Sequence, residues 1–237
     1  MTRTLRDAMA PVGVAAAAAL ALAGIGQTAW APLLHHGLGA GDGDHAAHTA
    51  PAVASAAWLV GWGLMVAAMM LPSAVPLVRE VGGAVRTRGG GRERAFTIAA
   101  FLGVWGAFGC AVLVGTALAR GVAPGLLLIA VGAYQLTPAK RAALARCRAH
   151  VRLLPAGWAT GPDPTGDALR AGMSHGLSSV ACCGPLMAAI ACVGMGEPIL
   201  MLVAGLAMTV EVAAPRGPRI TAPIGIALIL AGAIALL

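Results

Sequence analysis

Charge is scarce in this chain. Only 11% of its 237 residues are Asp, Glu, Lys or Arg, against about 25% in an ordinary soluble domain, so it cannot dress a globular surface in solvated groups. Acidic residues are the rarer kind, nine against 16 Lys and Arg. Aromatics make up 4%. Also missing are a Cys-x-x-Cys pair, a phosphate-binding glycine loop, a hydrolase triad and any nucleic-acid module, which removes the commonest thiol-redox, nucleotide-hydrolysing and acyl-transfer readings. Disorder is excluded for most of the chain because it requires low hydrophobicity.

What is present is apolar. Hydrophobic residues reach 59%, mean hydropathy is +0.83, and 33 glycines accompany abundant Ala, Leu and Val, a composition suited to closely approaching transmembrane helices. A bilayer core needs about 20 apolar residues per helix, and seven runs approach that length: 9–30, 52–78, 95–119, 121–137, 168–193, 198–213 and 220–237. The expected fold is all-α, a polytopic transmembrane bundle of about seven spans. Residues 1–30 form the first helix, 31–51 an outer loop, and 52–237 a six-helix membrane domain. The first run also resembles a signal peptide, with Arg3 and Arg6 ahead of it, but it exceeds the usual signal core of about 7–15 residues and reads as an uncleaved signal anchor.

The basic residues orient these spans. Every Lys and Arg except Arg120 falls in the N-terminus or in alternate loops, at positions 79–94, 140–170 and 216–219. By the positive-inside rule the N-terminus is cytoplasmic and the C-terminus lies outside, in a multi-pass protein of the cell's inner membrane. The cations thus serve topology, and the net charge of +7 needs no nucleic-acid partner. Cys147 falls within a cytoplasmic basic loop, where no structural disulfide is expected.

The outer loop carries His35, His36, His45 and His48 with Asp42 and Asp44, and no cation. Imidazole and carboxylate suit zinc or copper. The same loop also reads as a solvated, glycine-rich connection.

Polar groups inside spans are costly and mark function by default. Pro185 should kink the fifth span and free the carbonyl of Ala181, four residues earlier. That span offers His175, Cys182 and Cys183, with His175 and Cys182 on one face. The second offers Met65, Met69 and Met70, the fourth Tyr134 and Gln135, and the sixth Glu211. At about 1.5 Å per residue, Met69, Tyr134, Gln135, His175 and Glu211 are expected in one layer about 6–8 Å to the cytoplasmic side of the midplane, with the cysteines slightly beyond the midplane. Thiolate and thioether donors select copper(I), while imidazole also suits other transition metals. The bland alternatives are methionines that fill gaps between helices, cysteines that act as small buried hydrophobes, and a Glu211 paired with Arg216.

Three segments, Met65-Val-Ala-Ala-Met-Met-Leu-Pro, Tyr134-Gln-Leu-Thr-Pro-Ala-Lys140 with Cys147-Arg148, and Gly172-Met-Ser-His-Gly through Cys182-Cys183 to Leu186-Met187, resemble those of a bacterial family described as predicted metal-binding integral membrane proteins, a domain of unknown function. The likeness covers roughly residues 55–237 and implies a helical membrane protein with a metal site. The family pattern has further cysteines where this chain has Ala143 and Ser179, a Trp at Gly184 and a Lys at Val212, so the site here leans more on Met and His.

The expected function is binding of a soft transition metal, copper above all, for transport or delivery, with the lipid bilayer and a metalloprotein or metal chaperone as partners. A non-catalytic assembly subunit, a thiol oxidoreductase using Cys182 and Cys183, and a haem protein with His175 as axial ligand are the alternatives. A non-enzymatic role fits the sequence better than an enzymatic one.

Overall fold

The computed structural model describes residues 51–84, 91–118, 122–152, 163–193, 198–214 and 217–237. The predicted first span and the outer loop with His35, His36, His45 and His48 lie outside the described residues, as does Arg216.

Among the described residues there is no strand, only helix: α1 (Pro51–Ala84), α2 (Gly91–Leu118), α3 (Pro124–Leu136), α4 (Pro138–Arg152), α5 (Pro164–Val193), α6 (Pro198–Ala213), a 3₁₀ turn at Gly217–Arg219, and α7 (Thr221–Ile234). Proline opens α1 and α3 to α6, as expected of a residue that cannot continue a preceding helix but is pre-set for a first turn. Four stretches, Val53–Val81, Gly91–Leu118, Pro164–Cys192 and Gly217–Ile234, are long and apolar enough to cross a membrane, and Pro124–Leu136 and Met201–Val212 are apolar but shorter.

The helix at α4 departs from the sequence reading. Residues 138–152 are dense in Arg and read as a basic loop, yet they are helical, and α4 packs against α1, α5 and α6. Lys140, Ala143, Leu144 and Cys147 recur at the i, i+3, i+4, i+7 spacing of one helix face, and all four are buried while Arg141 and Arg146 are exposed. An amphipathic helix lets cations face outward while a narrow stripe joins the core.

The core lies between α1, α2, α5 and α6. Trp58 stacks on Trp62 with ring centroids 5.5 Å apart, and Trp62 donates its indole N–H to the Trp105 carbonyl of α2 at 2.9 Å. Met65, Met69, Met70, Met187 and Met208 are buried in the same core. The α3–α7 pair is a separate contact made through glycines. A Cβ on Gly125 would stand 2.5 Å from the Gly232 carbonyl oxygen, and one on Gly132 would stand 2.6 Å from that of Gly225. Only glycine permits backbones to approach this closely, the device by which apolar helices associate without a hydrophobic driving force.

Candidate metal centre

Pro185 lies inside α5, and its ring removes one backbone donor from the ladder. The freed group is satisfied from outside the helix. Tyr134 at the end of α3 donates its hydroxyl to the Ala181 carbonyl at 2.6 Å, the carbonyl that the sequence marks as freed. The neighbouring carbonyl, Cys182 O, accepts from the Lys140 ammonium at 2.9 Å. Tyr134 and Lys140 flank the Thr137–Pro138 joint between α3 and α4, so one bend of the chain closes the kink of another.

Lys140 is fully buried. Its Nζ also lies 2.8 Å from Glu211 Oε2 of α6, forming a buried ion pair that neither group could leave alone without a large desolvation cost. Two turns along α4 from Lys140, Arg148 donates to the carbonyls of Glu211, Val212 and Ala214 at 2.8, 3.0 and 2.7 Å. These are the carbonyls that the C-terminus of α6 leaves unsatisfied, and a cation there also complements the helix dipole.

Three cysteines line this side of the pair. Cys147 of α4 faces Cys182 of α5, whose chain neighbour is Cys183. All three are buried and free of disulfides. The neighbouring Cys182, then burial, push the Cys147 thiol above its ordinary range. Cys147 is the residue that sequence reasoning missed. Among a run of arginines it looked like a loop cysteine; the signal that could have found it is its seven-residue spacing from Lys140. Among the described residues no set of three or more His, Cys, Asp and Glu side chains is preassembled as a metal site. What the chain brings together is a line of thiols with Cys182 at its centre.

The other candidates are distributed differently from the single expected layer. Glu211 and Tyr134 converge, through Lys140 and directly, on Ala181–Cys182. His175 lies seven residues earlier on α5, about 10 Å along the axis, with its ring stacked on Phe101 at 5.4 Å. Helices in a bundle are offset along their axes, and a long Lys side chain spans levels that span midpoints separate. Glu211 is occupied by Lys140 through one oxygen and serves as its counterion. Met69 packs beside Gly205 of α6, whose added Cβ would lie 3.3 Å from the Met69 Cγ. Gln135 is buried at the α3–α7 seam with neither amide atom hydrogen-bonded, and the Gln135 Cβ abuts Gly225.

The described residues thus form an apolar helical bundle with soft donors in a buried, charge-braced interior. Residues 59–235 match the PpoB2 family, described as a copper chaperone, and the chain belongs to that family. The chain matches no curated protein and no solved structure. The resemblance to a metal-related family is therefore upheld, and the metal in the family's description is copper.

Proposed function

We propose that this protein is an integral membrane copper chaperone that binds copper(I) between Cys147 and Cys182 and passes it to a metalloprotein partner. The observation that carries the reading is the contact of two buried thiols from different helices in a chain of a copper chaperone family. Copper(I) is soft and prefers sulfur donors, and two thiolates suffice for it, so a line of thiols is an adequate site without a preformed cage. Cys183, buried beside Cys182 on α5, is a flanking thiol. Met65, Met69 and Met70 offer thioethers on the α1 side of the same core, and His175 an imidazole two turns up α5. The loop histidines His35, His36, His45 and His48 capture ions on the outer side. The arrangement is that of seven spans in the inner membrane, with the N-terminus cytoplasmic. Glu211, a candidate ligand by sequence, is assigned instead to Lys140.

Anaerobic metal analysis of the purified full chain tests this. About one copper(I) per chain is expected, falling severely in Cys147→Ser and in Cys182→Ser and far less in Cys183→Ser. Copper content unchanged in the first two variants would sink the proposal.

A further inference from the structure

The fixed charges beside the thiols do not cancel. Lys140 and Glu211 are both fully buried and paired at 2.8 Å. Arg148, half-buried, directly follows Cys147 in α4 and is tied to the end of α6, and the Lys140 ammonium donates to Cys182 O at 2.9 Å. Arg146 faces solvent, where screening weakens it. Among the described residues the formal charges held around the thiols are therefore two cations against one anion, an excess of one positive charge.

This excess has a natural complement. Copper(I) held by two thiolates is a complex of charge −1; zinc(II) held by the same two is neutral. Forming the copper complex converts two thiols to thiolates, and their two protons leave to water. In a poorly polarisable interior an uncompensated charge is costly and a matched one is not. Resting on the copper(I) site proposed above, we infer that Lys140 and Arg148 make the Cys147–Cys182 pair selective for a monovalent soft cation over a divalent one. Lys140 is here a specificity residue that acts through charge and never touches the metal.

Lys140 also braces the α5 kink through Cys182 O, so its loss alone would mix structure with electrostatics. Three variants separate them. Lys140→Met lowers the local charge by one while Glu211 stays ionised, and Glu211→Gln raises it by one while Lys140 stays protonated, states that repeating the measurement from about pH 6 to about pH 9 identifies; the double variant restores the original excess with neither buried charge stranded while removing the brace. Copper(I) and zinc(II) affinities are measured on the full chain in detergent, each against a competing chelator under anaerobic conditions. The copper-over-zinc preference is expected to fall about tenfold or more in Lys140→Met, to rise in Glu211→Gln, and to return close to the original value in the double variant; a unit charge about 5 Å away at an effective dielectric of about 20 is ample for this. Should Lys140→Met fail to fold, Glu211→Gln and the double variant decide. A preference unchanged in Glu211→Gln, or a double variant as unselective as Lys140→Met, overturns the inference while binding still depends on Cys147 and Cys182. Binding that ignores both cysteines overturns the underlying site instead.

Discussion

A proline kink leaves a carbonyl stranded, and the fate of Ala181 O shows how one side chain answers it. Tyr134 supplies a hydroxyl from another helix at 2.6 Å. Tyr134→Phe keeps the ring and removes that donor, so thermal unfolding in detergent should show a loss of about 1 kcal/mol, the usual net worth of one such bond, with copper stoichiometry retained. Both halves of this contact were legible in the sequence: Pro185 marked the freed carbonyl, and Tyr134 stood out as a polar residue near the end of an apolar run. Its pairing with Ala181 was not legible, because nothing local says which of several polar groups reaches a given kink. Lys140 was less legible still. A lysine in a stretch crowded with Arg looks like a loop cation, and only the anion waiting on α6 explains its burial.

At the scale of elements, hydrophobic runs located six of the seven α-helices among the described residues, within about six residues of their observed bounds, because a long apolar segment has few other options. The seventh, α4, escaped because its arginines mask a stripe of only four buried positions, Lys140, Ala143, Leu144 and Cys147. Relative heights of the helices were not readable from span midpoints either: Tyr134 reaches Ala181 O and Glu211 reaches Cys182 O through Lys140, while the His175 ring stacks on Phe101. The α3–α7 seam offers a test at this scale. Gly225→Leu would drive a side chain at the Gly132 carbonyl, whose oxygen lies 2.8 Å from the added Cβ. A destabilisation of about 1–3 kcal/mol, typical of overpacking, is expected in thermal unfolding, whereas Gly103→Ala, with open space around its Cβ, should be near neutral.

For the whole molecule the proposal has a sidedness that can be measured. Reporter fusions after residue 90 and after residue 155 should register as cytoplasmic, and a fusion at residue 237 as external; a cytoplasmic reporter at residue 237 would remove one span from the proposed arrangement. The same orientation puts the outer histidines opposite the basic loops. Copper(I) bound by the thiols should then survive replacement of His35, His36, His45 and His48 by Ala, with only uptake from dilute external copper impaired. These sidedness arguments came almost entirely from where the few cations sit, since charge is the one signal that distinguishes the two faces of a bilayer.

The glycine seam also bears on how the protein is made. Helix α3 packs most extensively against α7, yet α4, α5 and α6 all lie between them in the chain. During synthesis α3 is therefore made with its glycine face bare and must wait through three further helices for its partner. Closing that seam is a late assembly step. Until it happens, the helix that carries Tyr134, the residue that satisfies the α5 kink, lacks its main neighbour.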